Sequence, residues 1–187
     1  MPDLKLVNLI KDDKHKSFVK KLYKEAFPVS ERMPFWALTR LAKKDRAQFF
    51  VICDADKPVG MTYTVLYRDI VYILYLAIDN KYRGGGYGSM TLGAVKKKYF
   101  HKRIILCVEE LDPNSNNYEQ RLRRLKFYEK NGFSDLGYTI TEASVTLEML
   151  GFSASGKTVS KNEYSQLMQA YFGNTVYKTI YKRLSDC

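Results

Sequence analysis

A strand, a glycine-rich turn and a helix follow one another between residues 70 and 100, and this order constrains the fold more than any other feature. Apolar, β-branched and aromatic residues fill Ile70–Ile78, which predicts a buried strand. Four glycines fall within residues 83–89, and the composition of residues 90–100 is typical of a helix. The first turn of a helix leaves N–H groups unpaired, and glycine lets a ligand approach the backbone. We therefore expect this turn to bind phosphate.

The spacing of the glycines excludes two common phosphate-binding motifs. A P-loop needs Gly-Lys-Ser/Thr after a first glycine and four further residues, and this pattern is absent. A Rossmann turn needs Gly-x-Gly-x-x-Gly, but Ser89 stands at the last position after Gly84 and Gly86. The pattern present is Arg83-x-x-Gly86-x-Gly88. Taken alone, it could still be a plain turn without a ligand.

Size and composition predict one domain over residues 1–187. The chain is 45% apolar, which is enough for a sizeable core. No apolar run reaches the roughly 20 residues of a membrane span, and the first residues lack the apolar segment of a signal peptide. The cysteines, Cys53, Cys107 and Cys187, are widely spaced and accompany only two histidines. We therefore expect a cytoplasmic protein with free thiols and no metal.

The net charge of +11 requires an explanation of its own. Basic residues cluster at 96–98, just after the glycine-rich turn, and at 121–126 in a later predicted helix. These clusters favour a small ligand with several phosphates, and nucleic acid is the alternative.

Periodicity predicts the remaining elements. Strands are expected at residues 4–10, 48–54, 59–67, 103–109, 137–141 and 143–150, and helices at 17–27, 34–44, 118–131 and 162–172. We expect a loop at 151–156, and either a helix or a strand at 175–184. A helix between the strands at 70–78 and 103–109 implies a parallel crossover. The fold class is thus α/β, with a mixed, mostly antiparallel sheet flanked by helices.

Two motifs resemble those of the GNAT superfamily of N-acetyltransferases. Arg83-x-x-Gly86-x-Gly88 is similar to its acetyl-CoA pyrophosphate loop, and Tyr128-x-x-x-Gly132-Phe133 is similar to its second signature, one strand and one helix later. The resemblance covers residues 4–150. It implies a GNAT-like sheet whose parallel fourth and fifth strands splay apart.

The resemblance also implies the binding site for acetyl-CoA, the expected cosubstrate. Backbone groups of Leu76, Ala77 and Ile78 would pair with the pantetheine arm like an added strand. The pyrophosphate would be held by backbone N–H groups of Arg83, Gly84, Gly85, Gly86, Tyr87, Gly88 and Ser89. Tyr128 would protonate the departing thiolate, because the pKa of tyrosine, about 10, is close to that of a thiol.

Two parts of the implied site are less well defined. Arg121 stands where many members have an asparagine that binds the CoA arm; Asn117, one turn earlier, could replace that asparagine, and Arg121 could reach a phosphate. Glu109 is the first candidate for the general base, with Glu110, Glu31 or water as alternatives.

The expected function is transfer of an acetyl group from acetyl-CoA to a primary amine of a small molecule or peptide, by direct attack in a ternary complex. The partners would be acetyl-CoA and the amine, with no specific nucleic acid and no membrane, in a monomer or homodimer. A catalytically silent sensor of CoA or acyl-CoA is one alternative, and a nucleic-acid-binding domain is another. Specificity would lie in residues 28–34, 111–117 and 151–160, which carry no recognisable code.

Overall fold

The computed structural model of the chain describes residues 3–142, 145–174 and 177. The element predicted over residues 175–184 lies outside these residues, apart from residue 177. The chain divides into two compact units. The first unit comprises Met1–Leu66 and Tyr72–Tyr99, and the second unit comprises Tyr67–Val71 and Phe100–Cys187. The single domain expected over the whole chain stays a prediction. Among the described residues, no helix is long and apolar enough to span a membrane.

In the described part of the chain, seven strands form one sheet in the order β1-β2-β3-β4-β5-β7-β6. Their bounds are β1 (Leu4–Asn8), β2 (Ala47–Asp54), β3 (Lys57–Tyr67), β4 (Ile70–Ile78), β5 (Arg103–Glu109), β6 (Ser134–Glu142) and β7 (Val145–Phe152). The helices are α1 (Lys16–Ala26), α2 (Phe35–Ala42), α3 (Tyr87–Lys98), α4 (Tyr118–Lys130) and α5 (Lys161–Phe172). The sheet is mostly antiparallel with β4 and β5 parallel, which confirms the predicted fold class.

Aromatic side chains hold the first unit together. Tyr75 of β4 makes edge contacts with Tyr23 of α1 and with Phe27, the residue that follows α1, with ring centroids 5.0 and 4.8 Å apart. The Tyr75 hydroxyl donates to the Glu31 carbonyl at 2.8 Å, and the Tyr23 hydroxyl donates to the Met33 carbonyl at 3.0 Å. Because buried tyrosine hydroxyls need partners, these bonds fix the path of the chain between α1 and α2.

Arg103 is the main polar anchor of the second unit. Its Nε and Nη2 atoms each lie 2.8 Å from a carboxylate oxygen of Asp69, and Nη2 also lies 2.8 Å from Glu163 at the start of α5. Its Nη1 atom donates to the Thr158 carbonyl at 2.7 Å. Ser160 and Glu163 form a capping box, in which each side chain bonds to the other residue's backbone N–H. Arg103 therefore ties the start of β5 to the start of α5.

Several element boundaries differ from the sequence prediction. Helix α3 begins at Tyr87 rather than residue 90, because Gly86 takes a left-handed conformation (φ 79°) and serves as its N-cap. Strand β7 continues to Phe152, since Ile104 and Ile105 pair with the first two residues of the expected 151–156 loop.

Candidate functional site

The glycine-rich turn connects β4 to α3 through two left-handed glycines. A short 3₁₀ turn, Asn80–Tyr82, follows the strand, and the Asp79 side chain accepts a hydrogen bond from its Lys81 N–H at 2.9 Å. Gly84 and Gly86 then have φ values of 81° and 79°. An L-residue with a side chain is strained in this region, so glycine is required for this path into the helix.

Four amide groups of the turn are open to a ligand. The Met90 N–H reaches the Gly86 carbonyl at 3.0 Å and closes the first turn of α3. Within the described part of the chain, the N–H groups of Gly84, Gly86, Tyr87 and Gly88 have no acceptor. Open amides at a helix N-terminus, together with the helix dipole, favour a bound anion. The turn therefore has the chemistry of a phosphate site.

Arg83 adds a positive charge at the beginning of this turn. Its side chain is exposed, and its Nε atom donates to the Ile78 carbonyl at 3.2 Å. The Nη atoms form no hydrogen bond or ion pair with described residues. This arrangement fixes the guanidinium group beside the end of β4 while leaving its outer N–H groups able to bind an anion.

The end of β4 packs tightly against β3. A Cβ atom on Gly60 would lie 2.6 Å from the Ala77 carbonyl oxygen, so only glycine fits at that position. The Val59 carbonyl accepts a hydrogen bond from the Asp79 N–H at 2.9 Å. The position of residues 76–78 is thus set by β3.

In the second unit, Glu109 at the end of β5 binds three side chains of the 117–124 segment. Its Oε1 atom lies 3.4 Å from Asn117 Nδ2 and 3.5 Å from Arg121 Nη2, and its Oε2 atom lies 3.1 Å from Arg124 Nη1. Arg121 also donates to Asn117 Oδ1 and to the Glu110 carbonyl, both at 2.8 Å. Both oxygens of Glu109 and all three nitrogens of Arg121 are therefore engaged.

Tyr128 lies in the last turn of α4 and is half-buried. Its ring makes edge contacts with Phe127 and Phe133, with centroids 5.1 and 5.9 Å apart. No described residue forms a hydrogen bond with its hydroxyl. Desolvation raises the pKa of Tyr128 to about 12, since burial disfavours the charged phenolate. The hydroxyl therefore stays protonated over the whole physiological range.

Comparisons with known proteins identify the family. The family model of the GNAT acetyltransferase domain matches residues 45–135. YjbC of Bacillus subtilis, provisionally named an acetyltransferase, is 28% identical over 160 residues, which cover 80% of this chain and 77% of that protein. The chain belongs to the GNAT superfamily of acetyltransferases.

Solved structures show the same fold. A GNAT-family protein from Bacteroides thetaiotaomicron superposes with a TM-score of 0.70 at 21% identity, covering 93% of this chain and 97% of that one. An aminoglycoside 6′-N-acetyltransferase complexed with coenzyme A superposes with a TM-score of 0.63 at 14% identity, covering 83% of this chain and 99% of that one. At these identities the likeness concerns the GNAT fold alone.

The structure groups the predicted site residues of this GNAT protein into two sets. Residues 76–78 and 83–89 lie together in the first unit. Glu109, Asn117 and Arg121 form one network in the second unit, which also contains Tyr128. Their roles toward acetyl-CoA stay predictions. No group of His, Cys, Asp or Glu within the described ranges could hold a metal ion.

Sequence reasoning missed three carboxylate interactions. Arg124 pairs with Glu109, and its position three residues after Arg121 on a helix is the signal that could have indicated this. Asp54 accepts a 2.6 Å hydrogen bond from the Tyr87 hydroxyl, for which the sequence offers no signal. Burial raises the pKa of Glu148, and the nearby charges of Asp135 and Glu110 raise it further.

Proposed function

We propose that the chain transfers the acetyl group of acetyl-CoA to a primary amine of a small molecule or peptide, by direct attack in a ternary complex. The observation that supports this most is the Arg83–Ser89 turn, whose open amides follow β4 in a chain of the GNAT superfamily. In this proposal the turn binds the pyrophosphate, and the backbone of residues 76–78 pairs with the pantetheine arm.

The reaction would need only one departing group and two proton transfers. The amine nitrogen attacks the thioester carbonyl carbon, the carbon–sulfur bond breaks, and the electron pair leaves on the CoA sulfur. We propose that the Tyr128 hydroxyl donates a hydrogen bond to that sulfur as the thiolate leaves, and that the thiolate then takes its proton from water. The nitrogen gives its surplus proton to a base, so no protein nucleophile is required.

We propose that the general base for the amine lies outside the Glu109 network. Three side-chain donors already bind the two Glu109 oxygens, so this carboxylate is engaged in holding its neighbours. We propose that Glu109 instead holds Asn117, Arg121 and Arg124 in place, and that water, Glu110 or Glu31 accepts the proton. The backbone of Glu31 is held by the Tyr75 hydroxyl, while its side chain is exposed.

Location and assembly complete the proposal. We propose a cytoplasmic enzyme, in line with the widely spaced cysteines, that works as a monomer or homodimer. Of the described cysteines, Cys53 is buried and Cys107 is partly buried, and neither forms a disulfide.

A two-step experiment tests the proposed activity. Calorimetry with coenzyme A measures binding first, and release of free thiol from acetyl-CoA is then followed in the presence of a panel of primary amines. We expect binding and amine-dependent thiol release. Binding without release for any amine would favour a silent sensor, and absence of binding would contradict the assignment of the glycine turn.

A further inference from the structure

The side chain of Tyr87 has a fixed place in the first unit, although it lies between two glycines. Tyr87 is the first residue of α3, and its amide is one of the open N–H groups. Its ring makes an edge contact with Tyr82, with centroids 5.7 Å apart. Its hydroxyl donates to Asp54 Oδ2 at 2.6 Å, a short hydrogen bond to a carboxylate.

Asp54 is itself held firmly. It is the last residue of β2 and pairs with Leu4 of β1 and Lys57 of β3. Its other carboxylate oxygen, Oδ1, accepts a hydrogen bond from the Asp3 N–H at 3.0 Å. The Tyr87 hydroxyl is therefore attached to three neighbouring strands rather than to a mobile side chain.

The negative charge of Asp54 does not itself attract an anionic ligand to the turn. A carboxylate near an anion-binding turn repels an incoming phosphate, so Asp54 weakens binding through its charge alone. The contact would help binding only by fixing the turn. Gly84, Gly86 and Gly88 give the turn wide conformational freedom, and freedom lost on binding lowers affinity. Because Tyr87 is held at the first helical position, part of this conformational freedom is already lost in the free protein.

We propose that Tyr87 and Asp54 form a positioning pair that pre-organises the glycine turn for a diphosphate ligand. The pair acts through the backbone amides: the hydroxyl holds the ring, the ring holds the first turn of α3, and the open N–H groups keep one orientation. This inference rests on the proposed function, because the diphosphate would be that of coenzyme A.

The variants Tyr87→Phe and Asp54→Ala each delete this hydrogen bond and keep the rest of the turn. Calorimetry with coenzyme A should show a Kd about 3- to 10-fold higher for Tyr87→Phe, and a smaller increase for Asp54→Ala, because that variant also removes the charge that repels phosphate. The double variant should be no weaker than either single one, because both remove the same contact. Asp54→Asn retains an oxygen that can accept from Tyr87 and lacks the repelling charge, so it should bind coenzyme A more tightly than Asp54→Ala.

Tyr82→Phe is the matched control. Tyr82 belongs to the same segment, but within the described residues its hydroxyl has no hydrogen-bond partner. Deleting that hydroxyl should leave the Kd for coenzyme A unchanged. In steady-state assays, Tyr87→Phe should raise the KM for acetyl-CoA with little change in kcat, and should not affect turnover of S-acetylpantetheine, which lacks the diphosphate.

The results separate this inference from the proposed function. If the wild-type chain does not bind coenzyme A, the proposed function fails. If it binds but Tyr87→Phe binds equally well, the positioning role is wrong. Equal loss of S-acetylpantetheine turnover would also overturn it, because that substrate does not depend on the diphosphate turn. A lower Tm with unchanged Kd would show that the contact serves stability alone.

Discussion

The substitution Tyr128→Phe tests the acid assigned to the leaving group, and the structure changes what should be expected of it. At an ordinary tyrosine pKa near 10, proton transfer to a thiolate would be almost balanced. Burial raises the pKa of Tyr128 to about 12. Against a thiol of pKa about 8.5, complete transfer is then uphill by roughly 3.5 units, or about 5 kcal/mol.

Tyr128 should therefore act mainly as a hydrogen-bond donor to the sulfur as negative charge develops. A hydrogen bond to a charged group contributes about 1.5–3 kcal/mol, which corresponds to roughly 10- to 100-fold in rate. We expect Tyr128→Phe to lower kcat by this factor. The Kd for coenzyme A should change little, because the ring keeps its contacts with Phe127 and Phe133.

The pH dependence provides the sharper measurement. Because the hydroxyl stays protonated up to about pH 12, the ratio of wild-type to Tyr128→Phe turnover should be constant between about pH 7 and pH 10. Single-turnover rates with a saturating amine would isolate the chemical step. A ratio that falls toward one across this range would refute the raised pKa, and full turnover in Tyr128→Phe would show that the residue is structural.

Three further substitutions follow from the local geometry. Gly86→Ala places a side chain at φ 79° and should weaken coenzyme A binding at least tenfold by calorimetry. The control is Gly93→Ala, where the space around the new Cβ is open; this variant should raise the free energy of unfolding by about 0.5–1 kcal/mol. Tyr138→Phe removes a buried hydroxyl that has no partner in the described structure, so urea denaturation should show about 1 kcal/mol more stability, with kcat unchanged. Arg103→Met should cost about 1–2 kcal/mol at neutral pH, a screened value for a partly exposed carboxylate. Arg103 is the main cause, followed by the hydrogen bonds of Ser160, of the lowering of the pKa of Glu163 to about 2. A carboxyl group with a lowered pKa stabilises the fold above about pH 5, and this stabilisation is lost as the pH falls toward about 2. The wild type should therefore lose more stability than Arg103→Met between these two pH values. Equal losses would contradict the assignment.

The sequence was informative where a local pattern determines a local structure. The continuous run of apolar, β-branched and aromatic residues predicted β4 at Ile70–Ile78, and the strand has the same bounds in the structure. The order of elements predicted the mixed sheet and the parallel β4–β5 pair. The glycine pattern located the turn between β4 and α3, because a left-handed φ at Gly84 and Gly86 requires glycine, and its role toward phosphate stays a prediction.

The sequence was less informative where a contact depends on distant residues. Tyr87-Gly88-Ser89 has the composition of a turn, yet these residues form the first turn of α3, since Gly86 caps the helix and Tyr87 is held by Asp54. Likewise, nothing in the sequence around Glu109 shows that its two oxygens are already bound by side chains from the 117–124 segment. These are tertiary contacts between residues distant in sequence, and the hydrophobic periodicity of a single segment cannot predict them.

The tyrosine hydroxyls show why Tyr128 still deserves to be tested first. Most buried tyrosine hydroxyls whose bonds are defined here donate to fixed acceptors: Tyr23 to Met33, Tyr75 to Glu31, and Tyr164 to Glu142. A hydroxyl committed to a backbone carbonyl or a carboxylate cannot also donate to a departing sulfur without breaking that bond. The hydroxyl of the half-buried Tyr128 has no such commitment among the described residues, and its raised pKa keeps its proton in place. An uncommitted, protonated donor at the end of α4 is what stabilisation of a thiolate requires, and the constancy of the Tyr128→Phe rate ratio with pH tests that requirement directly.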